Sequence, residues 1–265
     1  ISPVKTNNQF KEPMLAFKLE DYEKLLFTVP TFVQPKLDGI RCVLKDNTLR
    51  TRNGKLITTC NHVITNQELD GELYNHDLKS NFNKIVSLVK KTKATESEIK
   101  EAETTIQYWV YDLPLDKVFS ERYKILQSKF DSEITNSNLR LVPMYQVFNR
   151  ADIEKYHLQF LHEGYEGSMI RLDLEVYENK RSKQLLKYKN FQDAEFEVLD
   201  VLEGLGNRSG VAGKLVCKIG NDTFECSMTG NLEYMEEVFT NKRKYIGKLA
   251  TVKFFEYTPA GKPRF

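Results

Sequence analysis

Near residue 191 the texture of the chain changes, so that one uniform architecture does not suit both halves. Upstream, β-branched and aromatic runs at "TFVQPKL", "IRCVLK", "IQYWVYDLP", "RLVPMYQVF", "GSMIRLD" and "QLLKYKN" read as strands. Helical spacing lies between them. Ile85, Leu88 and Val89 share one face, as do Tyr123, Leu126 and Phe130, and Ile153, Tyr156, Phe160 and Leu161. This predicts a mixed α/β body. Downstream come short strands with glycine punctuation, "EFEVLDVLEG", "AGKLVCKIG", "DTFECSM" and "LATVKFFEYT", interrupted by one helical stretch, "NLEYMEEVFTNKRKY". Short strands at regular spacing predict a small β-barrel.

Five such strands with one helix fit an OB-fold, a frequent nucleic-acid platform. The 265 residues suffice for two modest cores, and 40% apolar with 29% charged residues is ordinary globular composition. No apolar run is long enough to span a bilayer and no signal-peptide pattern opens the chain, so no membrane partner is expected. The first residue is isoleucine rather than methionine, as in a chain whose true N-terminus lies upstream. A net charge of +2 does not by itself call for a polyanion, although basic clusters recur at "KKTK", "NKRSKQLLKYK" and "NKRKYIGK". Cys42, Cys60, Cys217 and Cys226 lack zinc-type pairing, which predicts reduced thiols in a cytoplasmic protein. "KLVCKIGNDTFECS" reads as a hairpin turning at Asn221-Asp222, with Cys217 opposite Cys226.

The stretch "FVQPKLDGIRCVL" gathers Lys36, Asp38 and Arg41 around one glycine. Asp-Gly between two β-prone runs signals a two-residue hairpin turn, with the charges at its tip. The same charges also suit a lysine nucleophile. Lysine becomes reactive when desolvation or a neighbouring cation lowers its pKa, and Arg41 or a divalent metal could be that cation. Attack on a nucleotide α-phosphate then requires carboxylates for metal and further cations for phosphate. "LDGEL" offers Asp70 and Glu72, "YEGSMIR" offers Glu166 and Arg171, and "LLKYKNF" puts Lys187 and Lys189 on one strand face.

Taken in order, "KLDGIR", "TRNG", "DGEL", "VYD", "EGSMIR" and "LLKYK" resemble the covalent nucleotidyltransferase superfamily, and within it the small viral and phage ATP-dependent DNA ligases. The resemblance runs from "EPMLAFKLED" to the final "PRF". It implies an α+β chain: an ATP-grasp-like nucleotidyltransferase (adenylation) domain over 1–190, then a C-terminal OB-fold over 191–265. It implies an enzyme that seals 5′-phosphate/3′-hydroxyl nicks in duplex DNA, as replication and repair leave them, using ATP and Mg²⁺, with Mn²⁺ as a substitute. By that likeness Lys36 takes AMP covalently, and Asp38 lies near the reacting phosphate. Arg41 and Arg52 contact ribose or phosphate, Glu72 holds ribose or metal, and Glu166 is the main metal-linked carboxylate. Tyr111 stacks on adenine, with Trp109 on the same strand face as its competitor. Lys187 and Lys189 bind the α-phosphate, Lys189 doubling as a proton relay. Arg181, Arg208 and Lys214, together with Arg41, contact DNA phosphates. A monomer in the cytoplasm, or the host cytoplasm for a virus, completes the expectation.

Two departures stand out. The segment between "VLEGLGNRSG" and "KLVCKIG" is too short for the basic arm with which some relatives wrap DNA, so the domain surfaces must capture the duplex. The family also continues past "PRF" with a basic motif that orients pyrophosphate, whereas this chain stops at Phe265 with only Arg264 as its start. A chain truly ending there is expected to self-adenylate poorly yet still seal a pre-adenylated nick. An RNA ligase, an mRNA-capping guanylyltransferase and a non-catalytic nucleic-acid-binding module remain alternatives at this point.

Overall fold

A computed structural model describes residues 10–258 and 260–264; Ile1 and Phe265, the chain ends discussed above, lie outside them. The chain divides into two compact units, Ile1–Lys189 and Asn190–Phe265. No helix among the described residues is long and apolar enough to cross a membrane.

The first unit runs β1 (Leu15–Lys18), β2 (Thr31–Lys36), β3 (Ile40–Lys45), β4 (Thr48–Thr51), β5 (Leu69–Tyr74), α1 (Phe82–Val89), α2 (Glu96–Thr105), β6 (Gln107–Asp112), α3 (Phe119–Ser132), β7 (Leu139–Leu141), β8 (Tyr145–Val147), α4 (Arg150–Glu163), β9 (Gly167–Leu172) and β10 (Arg181–Tyr188). The strands form two five-stranded sheets, ordered β1-β10-β9-β2-β8 and β4-β3-β5-β6-β7. Each carries its own helical cover. In the first sheet Val33, Ile170, Leu172 and Leu186 pack with Ile153 and Phe160 of α4. In the second, Cys42, Leu44, Leu69, Leu73, Tyr108 and Val110 join Ile85, Leu88 and Val89 of α1 and Leu126 of α3. Period-2 alternation leaves the other face of each sheet for polar residues.

Two expectations fail here for one reason, the division into two sheets. The Asp38-Gly39 pair closes no hairpin, because β2 and β3 lie in different sheets. β2 is paired by β8 and β9, and β3 by β4 and β5, so neither edge is left for the other. Gly39 serves close approach instead: a Cβ there would stand 2.5 Å from the Leu73 carbonyl oxygen and 2.8 Å from Glu72 Cγ. Likewise "RLVPMYQVF" is two strands, β7 in the second sheet and β8 in the first, separated by Pro143, whose missing N–H suits the break. Helix α2 went unread because its apolar periodicity is slight; a Thr95–Glu98 capping box starts it.

The second unit holds β11 (Gln192–Glu203), β12 (Ala212–Ile219), β13 (Asp222–Ser227), α5 (Leu232–Thr240), β14 (Leu249–Phe254), β15 (Glu256–Tyr257) and β16 (Pro263–Arg264). Among the described residues six strands stand where five were expected: a four-stranded sheet, β13-β12-β11-β14, and a separate β15-β16 pair. The first half of β11 pairs with β14 and the second half with β12, with register shifts along the β12 pairing. The β12–β13 hairpin turns one residue earlier than read, at Gly220-Asn221, where Gly220 has φ 55°. Cys217 therefore faces Phe224, and Cys226 sits diagonally, its Sγ 4.0 Å from that of Cys217. All four cysteines are buried and unbridged.

Candidate active site

The two inner sheet faces of the first unit enclose a cleft of about 310 Å³. One wall is Gln34 and Lys36 on β2, Met169 and Arg171 on β9, and Leu185 and Lys187 on β10; the other is Arg41, Glu72 and Tyr111. Arg52, Arg181 and Lys189 also line it, with Leu15, Ala16, Pro35 and Leu37. Alternation sends several of their neighbours into the cores, as Val33 beside Gln34, Cys42 beside Arg41, and Ile170 and Leu172 beside Arg171.

At the end of β2 the chain places Lys36 opposite Gly167, and the Lys36 carbonyl accepts the Glu166 N–H at 3.0 Å. Helix α4 aims Glu166. A left-handed Gly164 ends the helix, the Tyr165 N–H returns to the Phe160 carbonyl at 2.9 Å, and their rings meet edge to face. The result is a three-residue ion cluster: Lys36 Nζ reaches Glu166 Oε2 and Lys189 Nζ reaches Glu166 Oε1. Burial alone would raise the Glu166 carboxyl, but Lys36 and Lys189 outweigh it and hold it below the ordinary carboxylate range. Glu72 shows the opposite balance. Burial pushes it up to about 7, only partly offset by Arg41 and Lys36, and its Oε2 accepts the Tyr111 hydroxyl at 3.2 Å.

Lys187 makes no ion pair among the described residues, and burial, then Lys189, Lys36 and Arg181, lower its pKa. The cleft thus keeps an uncompensated cation, while exposed Arg52 stands at its rim. Arg181 is exposed too, its guanidinium donating to the Ala16 carbonyl. Arg41 is less available than its place in the motif suggests: it chelates buried Asp70 at 2.9 and 2.7 Å. Its guanidinium also lies 5.2 Å from the Tyr111 ring centre, and that of Arg171 lies 5.4 Å away. Of the two aromatic candidates, Tyr111 lines the cleft. Trp109 packs with Tyr74 and His76. Asp38 sits half-buried in the loop that joins the two walls.

The supporting network escaped sequence reasoning. Buried Asp112 accepts Arg171 Nη1 at 2.7 Å from the first sheet and Arg122 Nε and Nη2 at 2.7 and 3.0 Å from α3, while Arg171 Nε donates to Gln34 at 3.0 Å. Tyr177 donates to Asp70 at 2.7 Å. One signal was present: "VYD" puts Asp112 on the buried face of a strand, and a carboxylate there demands a cation. In the second unit Arg208 is exposed, whereas Lys214 pairs with Glu225 at 2.7 Å.

Residues 13–189, the stretch that carries this cleft, match the family model for the ATP dependent DNA ligase domain. The chain belongs to the ATP-dependent DNA ligase family. This ligase is 27% identical over 234 residues to a DNA ligase of Haemophilus influenzae, a match covering 87% of this chain and 82% of that one. It is 26% identical over 207 residues to the DNA ligase of African swine fever virus, covering 72% of this chain and 47% of the longer viral protein. A solved structure from a structure–function study of Lig E DNA ligases, concerned with DNA binding by a minimal scaffold, superposes with a TM-score of 0.81 at 25% identity, covering 97% of each chain. The ligase reading thus prevails over the capping and purely binding alternatives.

Proposed function

We propose that this ligase takes AMP from ATP in the cleft between its two sheets, with Lys36 as the nucleophile. The observation that carries the reading is the Lys36–Glu166–Lys189 cluster beside uncompensated Lys187. Cations poised this way suit a phosphate whose charge grows during displacement. The Lys36 amine attacks the α-phosphorus, the P–N bond forms as the bond to pyrophosphate breaks, and the amine proton leaves to water by way of Lys189, which the shared Glu166 carboxylate holds beside Lys36. Lys187 and Lys189 hold the α-phosphate oxygens, Tyr111 offers the adenine a ring face, and Glu72 and Arg41 face the ribose. Asp38 and Arg52 then serve the later transfer to the 5′-phosphate and the attack by the 3′-hydroxyl.

The donor set fits Mg²⁺, or Mn²⁺ in its place. Glu72 and Glu166 offer hard oxygen ligands, and the raised Glu72 carboxyl marks a site where a cation relieves unbalanced burial. Among the described residues no three acidic, histidine or cysteine side chains converge, so substrate phosphates and water complete such a site. When bound, the ion offsets charge on the phosphates.

We assign 1–190 as the adenylation domain and 191–265 as an OB-fold. In support, the long first strand is shared between two partners and helix α5 falls between the third and fourth strands. The partner is nicked duplex DNA, gripped through phosphates by Arg181, Arg208, Lys214 and Arg41, and the working form is a cytoplasmic monomer. Lys36→Ala tests the core of this reading. The expected result is no protein-bound AMP from ATP, with sealing of a pre-adenylated nick retained; an AMP adduct in that variant overturns the assignment.

A further inference from the structure

We propose that His157 is a positioning residue, a brace on the rear of the cleft wall that holds the neighbouring ends of β9 and β10 in register for the reaction. The inference rests on the reading of Glu166, Lys187 and Lys189 given above.

His157 lies on α4 and is only 1% exposed. It holds two residues that are interleaved with the cleft lining. Its Nδ1 shares a hydrogen bond with Ser168 Oγ at 2.9 Å, and its ring stacks on Tyr188 with centres 3.9 Å apart and planes 23° apart. Ser168 and Tyr188 are direct partners in the β9–β10 ladder. Ser168 is two residues after Glu166, and Tyr188 stands between Lys187 and Lys189. Strand alternation sends Ser168 and Tyr188 to the helix side and Met169 and Lys187 to the cleft. A shift of either rear side chain therefore moves the front ones.

The grip on Tyr188 extends along one face of α4. Its hydroxyl donates to Glu154, 3.0 Å from each carboxylate oxygen, and the Arg150 guanidinium lies 5.2 Å from its ring centre while pairing with Glu154 at 2.8 Å. Residues 150, 154 and 157 follow the spacing of a single helical stripe. Ser168 is fully buried, and at a buried strand position a hydroxyl is tolerated when it has a partner. An apolar side chain at 157 would fill the space but could neither meet that hydroxyl nor fix the ring azimuth. Gly167 leaves little slack in this corner: a Cβ there would stand 2.3 Å from the Tyr188 carbonyl oxygen.

The test is single-turnover self-adenylation of His157→Phe, Ser168→Ala and the double variant, with thermal unfolding measured in parallel. Each single variant is expected to lose about 10-fold in the rate at saturating ATP, short of the 10²-fold that a 1 Å misplacement costs. KM for ATP is expected to stay within about twofold, because positioning acts on the transition state. The double variant should be no slower than the slower single one, and His157→Asn, which can meet Ser168 again, should recover part of the rate. Unchanged rates, or losses that add and simply follow the unfolding temperature, overturn the proposal. Should His157→Phe fail to fold, Ser168→Ala, the smaller change, decides by the same criterion. Lys36→Ala in the same assay separates the two levels: an adduct there overturns the reading of the cleft, whereas no adduct there with full rates in the His157 series overturns only the brace.

Discussion

Glu72 and Glu166 face one cleft yet carry opposite pH signatures, and the difference lies in what each one touches. Glu166 is clasped by two lysines and lowered, so it contributes stability above the ordinary glutamate range, lost as pH falls through its folded value. Glu72 is raised by burial to about 7, so its contribution is complete below about 4.5 and is lost as pH climbs through 7. Thermal unfolding should therefore show Glu72→Gln gaining on the parent protein as pH rises from 5 to 8, while the loss in Glu166→Gln stays nearly constant there and shrinks only as pH falls below about 4.5. Equal slopes in the two variants would contradict the assignment. A second residue-scale contrast concerns DNA. Arg208 is exposed with no ion pair among the described residues, while Lys214 spends its charge on Glu225. Arg208→Ala is expected to lower the salt slope of nick binding by about 1, and Lys214→Ala by less. Residue identities of this kind were open to sequence reasoning wherever a motif spans a few positions, as in Lys36 or Lys187 with Lys189. The pairings were not: Arg41 with Asp70 and Lys36 with Glu166 join residues far apart in the chain, and composition carries no trace of such distances.

At the scale of elements, the long apolar runs with clear periods became the elements they predict, and the errors fell where a local rule met a competing partner. Asp-Gly favours a hairpin, but β2 and β3 each had better neighbours. A valine-, leucine- and tyrosine-rich run reads as one strand until Pro143 splits it across two sheets. The β12–β13 turn slipped by one residue because Gly220 reaches the left-handed region more easily than Asp222. Gly167 gives the sharpest test of an element junction. Its φ of 152° and the contact with the Tyr188 carbonyl leave no room for a methyl group. Gly167→Ala should push β9 from β10, abolish self-adenylation and lower the unfolding temperature, whereas a wild-type rate would mean the junction is slack. The cap of α4 is a milder case. Asn149 accepts the Asp152 N–H at 3.0 Å, and Asn149→Ala should cost about 1 kcal/mol in unfolding with little change in rate.

At the scale of the whole chain, each unit has its own core, and the first also has a charged one. Asp112 alone holds two guanidinium groups, one from α3 and one from β9. Removing it strands two buried cations, so Asp112→Ala should destabilise the first unit by about 3–5 kcal/mol, more than any cap or surface change. Replacing the whole set with packed apolar residues need cost far less. Denaturant unfolding of the two variants distinguishes those outcomes.

The missing hairpin has a mechanical corollary. Leu37, Asp38 and Gly39 are all the chain that runs between the last residue of β2 on one wall and the first of β3 on the other. Four peptide steps reach about 14 Å at full stretch. The loop is thus a short leash: whatever the ligase admits, the walls cannot part beyond that length beside Lys36. Any wider gape must come by swinging about Lys36, which stays moored to both walls throughout.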